Sequence, residues 1–291
     1  MELPSWIRVK AGDYGRIVAV REAVFAAGVH TICEEAHCPN IFSCWGEGTA
    51  TFLILGDVCT RACKFCAVKT GDPRGFVDPT EPARVAEAVA KLGLRYVVIT
   101  SVDRDDLPDG GASQFASVVK AVKARAPWAK VEVLTPDFGG SAEAVASVVE
   151  AGPDVYAHNL ETVRRLTPLV RDRRASYDVS LRVLKMAKEL GAVTKSGLMV
   201  GLGETFDEVL EALSDLRRVD VDIVTIGQYL KPRGHKRFLE VQRWVPPEEF
   251  EKYREAAEAM GFKAVVAGPL VRSSYKAHEA YLEMLRKTIG R

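Results

Sequence analysis

The sequence predicts an α/β fold, a partial (β/α)6 TIM-like barrel with an extension at each end. Three observations predict it. Six short apolar runs, rich in β-branched residues and without period-two alternation, lie at 51–55, 96–100, 131–134, 155–158, 197–200 and 223–226. This is the pattern of parallel strands covered on both faces. Amphipathic stretches of helical period separate them. No proline- or glycine-rich linker divides the 291 residues, so the repeats build one catalytic body. Six strand–helix units leave a barrel open on one side. Residues 1–48 form an N-terminal extension, 49–232 the barrel and 233–291 a C-terminal extension.

The helices announce themselves by their ends. After the first strand, Thr80 stands as a cap, Pro82 falls in the first turn, and Val85, Val89 and Leu92 share one face. Gly93, Gly152 and Gly191 each sit where a helix should stop. Thr205 and Glu208 have the spacing of a capping box, ahead of an apolar stripe of Val209, Leu213 and Leu216. Right-handed crossovers put the carboxyl ends of the strands on one rim, where barrel active sites sit. Thr100, Asn159, Lys195 and Gln228 are expected at that rim.

Composition excludes several function classes. Lys and Arg total 40 against 39 Asp and Glu, so nothing favours nucleic acid or an anionic membrane as partner. The opening MELPSWIRVKAGDYGR is too polar for a signal peptide and too poor in Arg and Ser for a transit peptide. No apolar run approaches the roughly 20 residues of a membrane span, and a cytoplasmic protein is expected. Only two Asn and three Gln accompany many charges, a composition suited to high working temperature.

All six cysteines lie between residues 33 and 66. In a reducing compartment such crowding means metal or catalysis rather than disulfides. Cys59, Cys63 and Cys66 follow the first strand with C-x3-C-x2-C spacing. Three thiolates can hold three irons of a [4Fe–4S] cube and leave the fourth open to a substrate or cofactor. A zinc site would want a fourth Cys or His in register. The loop resembles that of the radical S-adenosylmethionine superfamily, in which an aromatic residue commonly precedes the last cysteine, as Phe65 does here. Upstream, Cys33, Cys38 and Cys44 are spaced C-x4-C-x5-C. Their residue types fit a second cluster, a zinc site using His37, or three buried thiols.

The segment Cys33-Glu34-Glu35-Ala36-His37-Cys38-Pro39-Asn40 through Cys44-Trp45, followed by Gly48-Thr49-Ala50-Thr51-Phe52, resembles the lipoyl synthases. The likeness continues in Ser101-Val102-Asp103-Arg104-Asp105-Asp106-Leu107, Thr135-Pro136-Asp137-Phe138 and His158-Asn159-Leu160-Glu161-Thr162. It reaches Gly227-Gln228-Tyr229-Leu230 and Arg272-Ser273-Ser274-Tyr275, covering about residues 30 to 280. The resemblance implies two [4Fe–4S] clusters. One is held by Cys59, Cys63 and Cys66 and binds S-adenosyl-L-methionine. The other is an auxiliary cluster on Cys33, Cys38, Cys44 and a serine, Ser273 rather than Ser274. An oxygen donor is a poorly matched partner for iron, which suits a cluster meant to be dismantled.

The family's reaction inserts two sulfur atoms, at carbons 6 and 8, into an octanoyl chain carried on a lysine, and the auxiliary cluster is consumed as sulfur donor. Implied partners are an octanoylated lipoyl-carrier domain or glycine-cleavage H-type protein, an electron donor of ferredoxin or flavodoxin type, and an iron–sulfur carrier for cluster repair. Phe65, Thr100, Asn159, Lys195 and Gln228 are the residues offered to S-adenosylmethionine. Other readings are a different two-cluster radical enzyme and a non-enzymatic iron–sulfur or zinc protein. A basic run, Arg233, His235, Lys236 and Arg237, is offered to an acidic carrier. Two stretches depart from the family. Residues 235–241 look longer than usual, and Asp172-Arg173-Arg174 replaces a more usual Arg-Pro pair. Neither falls on an expected ligand, so both are expected to bear on carrier recognition rather than on the reaction.

Overall fold

The computed structural model describes residues 3–9, 12–47, 49–232 and 237–289. Arg233, His235 and Lys236 of the basic run lie outside them. Two compact units emerge: an N-terminal one of Val9–Ala62 and Ala67–Tyr156, and a C-terminal one of Met1–Arg8, Cys63–Cys66 and Ala157–Arg291. Among the described residues no helix is long and apolar enough to cross a membrane.

The N-terminal unit opens with α1 (Tyr14–Ala27), β1 (His30–Thr31), α2 (Ile32–Glu35) and α3 (Ile41–Gly46), then β2 (Thr51–Ile54) and the short pair β3 (Val58–Cys59) and β4 (Lys69–Thr70). It continues through α4 (Glu81–Leu92), β5 (Tyr96–Ser101), α5 (Ala112–Arg125), β6 (Lys130–Leu134) and α6 (Ala142–Glu150) into β7 (Val155–Ala157). β2, β5 and β6 pair in parallel, Phe52 opposite Ile99 and Ile99 opposite Val133. These side chains are all buried, each contributing roughly 1.5–3 kcal/mol of apolar transfer. β1 runs antiparallel against β2. Thr80 occupies the cap of α4, but its hydroxyl and amide both bond Asp78 instead of the helix. Val85 and Val89 are buried as expected, whereas Leu92 is only half-buried.

The end of β2 is where this unit starts to build a site. Leu55 and Gly56 both adopt positive φ, 67° and 83°, so the chain turns sharply toward Cys59. The buried Glu81 carboxylate accepts from the Leu55 amide at 3.0 Å and from the Gln114 side-chain amide at 2.8 Å. Beneath the turn a Cβ on Gly111, itself at φ 91°, would stand 2.3 Å from Leu55 Cδ1. That approach and that φ both require glycine.

The C-terminal unit holds α7 (Thr167–Val170), α8 (Tyr177–Glu189), β8 (Thr194–Val200), α9 (Phe206–Arg218), β9 (Ile223–Gln228), α10 (Pro247–Ala259), β10 (Ala264–Gly268) and α11 (Ala277–Ile289). β8, β9 and β10 are parallel neighbours. On the other side of β8, His158 N–H donates to Lys195 O and Glu161 N–H to Gly197 O, each at 3.0 Å. The Thr205–Glu208 capping box forms with both reciprocal bonds, and Val209, Leu213 and Leu216 are buried in the core with Ile226 and Phe250.

Two features differ from expectation. The tail after 232, expected outside the repeat, supplies α10 and the parallel strand β10. Its run Ala264-Val265-Val266-Ala267-Gly268 is short and small-chained, which hid it. β8 also begins at Thr194, ahead of the apolar run at 197. Thr194, Lys195 and Ser196 are polar yet buried, because the Asp222 carboxylate accepts from the Thr194 amide and pairs with Lys188 and Lys263. Lys195 therefore sits at the amino end of its strand, not at the carboxyl rim.

Candidate active site

In the N-terminal unit the Cys59 loop is held by charge. Cys59 Sγ accepts from the amides of Asp103 at 3.3 Å and Arg61 at 3.4 Å. Arg61, buried between two candidate ligands, donates twice to Asp137, each bond 2.8 Å, and at 2.7 Å to Asp105, with Asp103 at 3.3 Å. Burial works against its charge, but the Asp137 and Asp105 hydrogen bonds outweigh it and keep the guanidinium firmly protonated. Thr60 Oγ1 donates to Asp105 at 2.6 Å. Arg104, almost fully buried, binds Asp106 and reaches Leu55 O at 3.3 Å, and Asp106 accepts from Gly75 N–H. The acidic run after β5 is thus scaffolding for the cysteine loop. Sequence reasoning quoted these residues without a role, although an acidic run in a strand-end loop opposite an Arg in a metal loop was a usable signal. Thr100, near the end of β5, spends its hydroxyl on Leu134 O.

The same unit gathers the upstream triad. Cys38 N–H donates to Cys33 O at 3.0 Å, and Cys44 O accepts from both the amide and the hydroxyl of Thr49, at 2.9 and 2.8 Å. Burial pushes the Cys33 thiol up to about 11, with the nearby Cys38 adding to it. Burial pushes Cys44 up to about 12, and the charges of Cys33 and Cys38 add to it. Three thiols that raise one another in this way form a site that becomes favourable when a cation displaces their protons. Trp45 is buried against Cys33, and its indole N–H has no hydrogen-bond partner. An orphaned buried donor beside a thiol is what a cluster's sulfur would satisfy, so the donor set fits an iron–sulfur group. All six cysteines are free thiols. Among the described residues no three His, Cys, Asp or Glu side chains converge on a single metal ion. A cube makes no such demand, because each of its thiolates meets a different iron.

In the C-terminal unit Cys63 and Cys66 share a turn, Cys66 N–H donating to Cys63 O at 3.2 Å, and Phe65 packs against the unit's apolar core. Arg237 Nη2 donates to Cys66 O at 3.3 Å. Lys64 N–H donates to Val170 O at 2.9 Å, and Asp172 N–H to Cys63 Sγ at 3.3 Å. The Asp172 departure therefore does touch an expected ligand, through its backbone, which its side-chain identity concealed. Asn159 Nδ2 donates to Ser273 Oγ at 2.6 Å and to Glu161 at 3.1 Å, leaving its Oδ1 buried without a partner. A Cβ on Gly197 would stand 2.9 Å from that oxygen and 3.0 Å from Ser273 Oγ, so the missing side chain makes the room. Gln228 ends β9 with its amide engaged by backbone: it donates to Val200 O, Tyr229 O and Arg243 O and accepts from Val245 N–H.

The "Radical SAM superfamily" model matches residues 53–216. A lipoyl synthase of Pyrobaculum arsenaticum is 67% identical over 280 residues, 96% of this chain and 95% of the relative. One from Thermus thermophilus is 57% identical over 286 residues, 98% of this chain and 88% of the relative. The chain belongs to the lipoyl synthase family. It is a radical SAM sulfurtransferase, and the family's use of S-adenosylmethionine and a [4Fe–4S] cluster agrees with the thiol sites above. Among solved structures, the FeFe-hydrogenase maturase HydG from Carboxydothermus hydrogenoformans superposes with a TM-score of 0.59 at 13% identity, over 93% of this chain and 69% of that one. At that identity the likeness speaks for the fold alone, the mostly parallel α/β fold expected of a partial barrel. Lipoyl synthases act on lipoyl-carrier proteins and need an electron donor.

Proposed function

We propose that the two thiol triads hold two [4Fe–4S] clusters with divided tasks. Cys59, Cys63 and Cys66 hold one at which S-adenosylmethionine binds and is cleaved. Cys33, Cys38 and Cys44, with Ser273 as fourth ligand, hold a second that gives its sulfur to an octanoyl chain on a carrier lysine. The observation that carries this reading is that six free thiols fall into two sequence groups, each met by N–H donors suited to sulfur. When bound, the first cluster and its cofactor supply a radical able to take hydrogen from an unactivated carbon, and the second supplies sulfide.

The chain's own residues bind and orient. The amides of Asp103, Arg61 and Asp172 hold the first triad's sulfurs. Asn159, with one oxygen unsatisfied and one N–H on Ser273, is the residue best suited to meet the cofactor. Phe65, Thr100, Lys195 and Gln228 support the surrounding turns and strands. Small misplacements of so reactive a group are costly in rate, which accounts for side chains this firmly tied. The carrier is an octanoylated lipoyl domain or H-type protein in the cytoplasm, the reductant is of ferredoxin or flavodoxin type, and an iron–sulfur carrier rebuilds the second cluster.

The test is anaerobic turnover of an octanoyl-lysine peptide with S-adenosylmethionine and dithionite, followed by mass spectrometry. The reading expects two sulfurs gained, and none when Cys33, Cys38 and Cys44 are replaced by Ala, with 5′-deoxyadenosine still formed. Cleavage of the cofactor by the wild type with no sulfur in the peptide would assign a different substrate.

A further inference from the structure

Asp172 stands where the family more usually has an Arg-Pro pair, and its backbone does what proline cannot. Its N–H donates to Cys63 Sγ at 3.3 Å. Proline has no N–H to give. The donor is fixed from several sides. Val170 O accepts from Lys64 N–H at 2.9 Å, binding the cysteine segment to the same loop. The Asp172 carboxylate accepts from Arg174 N–H at 3.0 Å and from Arg174 Nε at 2.9 Å, closing the turn that follows. On the preceding side the buried Arg171 guanidinium donates to Ser180 Oγ at 2.8 Å, and Ser180 also meets His158 Nε2 at 2.8 Å. The amide is therefore aimed by its surroundings and does not swing freely at a loop tip.

An N–H bonded to a ligating sulfur draws electron density from it. That favours the more negative, reduced state of the cluster, because hydrogen bonds to sulfur are among the levers that set a cluster's potential. We propose that the Asp172 backbone amide is a positioning residue for Cys63 that raises the reduction potential of the first cluster, so that this chain accepts its electron from a weaker donor than a proline-bearing relative would need. The inference rests on Cys63 being a ligand of that cluster, as proposed above.

The test is potentiometry of the holoenzyme's first cluster, followed by electron paramagnetic resonance, on the wild type, Asp172→Pro and Asp172→Ala. Arg171 has φ −92° and ψ 169°, an extended conformation that a following proline tolerates without strain. Asp172→Pro is expected to shift the potential negative, with the ratio of reduced to oxidised cluster falling roughly tenfold at fixed potential, ~59 mV for one electron. Asp172→Ala keeps the N–H and is expected to stay near wild type. An unchanged potential in Asp172→Pro overturns the proposal, and so does an equal shift in both variants, which would credit the carboxylate. A second measurement needs no variant. Wild-type protein labelled with 15N-aspartate should show a nitrogen coupling to the reduced cluster at this amide, and its absence overturns the proposal even if Asp172→Pro fails to fold. Cys63→Ala separates the underlying reading: a first cluster that assembles normally in that variant removes Cys63 as ligand and takes the proposal with it.

Discussion

The loop around Cys59 and the segment from Cys33 to Cys44 lie in the same unit and offer the same chemistry, yet they are stabilised by opposite means. The first is clamped by ion pairs. Arg61 is bound by two carboxylates and neighboured by a third, and the sulfur beside it accepts backbone amides. The second has little polar clamping: its thiols are desolvated, they oppose one another's ionisation, and a buried indole N–H goes unsatisfied. One site is shaped before iron arrives, and the other is completed by it. That difference suits a cluster that is kept and a cluster that is spent.

The largest expected effect comes from breaking the clamp. Arg61→Ala leaves the buried Asp137 carboxylate without its partner, and losing one side of such a pair costs about 3–5 kcal/mol. Urea midpoints of the iron-free protein should register it. Removing iron sharpens the contrast from the other side. Hydrogen exchange at amides 33–44 should speed up about a hundredfold on chelation, the ~2.7 kcal/mol of a ligand present at a hundred times its dissociation constant, while amides near Cys59 change less. Next comes the floor of the Leu55 turn. Gly111→Ala puts a methyl against Leu55 at a positive φ and should cost about 1–3 kcal/mol, together with poorer iron retention at the Cys59 loop.

The smallest effect is a control remote from both cysteine loops. Hydrogen bonds from Arg165 and the Thr205 amide pull Glu208 down to about 2 from 4.5. A depressed carboxylate stabilises above its unfolded value, and that stability is lost as pH falls from 4.5 toward 2. Glu208→Gln should flatten acid unfolding in that window by less than ~1 kcal/mol, as for a surface pair. Iron content should stay unchanged.

What the sequence disclosed follows from how local each signal is. The six strands were readable because two buried faces leave an unbroken apolar run, and the Thr205–Glu208 capping box because its partners are three residues apart. β10 was hidden by small side chains, and the start of β8 by polar residues that are buried only because Asp222, far away in sequence, satisfies them. The six cysteines were legible from spacing, and Ser273 only from resemblance. The Arg61–Asp137 pair spans 76 residues, beyond the reach of any periodicity. The Asp172 contact was invisible for another reason: it is made by backbone, and the sequence reports it only as the absence of proline.

The division between a kept and a spent cluster is tested most directly by the origin of the sulfur. Holoenzyme reconstituted with 34S-sulfide is given octanoyl-lysine peptide and unlabelled S-adenosylmethionine for a single anaerobic turnover, and the product mass is read. The account predicts that both inserted sulfurs are heavy and that the iron lost is the iron of the Cys33, Cys38 and Cys44 site, with the Cys59, Cys63 and Cys66 site intact. Product carrying light sulfur, or formed with both sites still fully loaded, would contradict it.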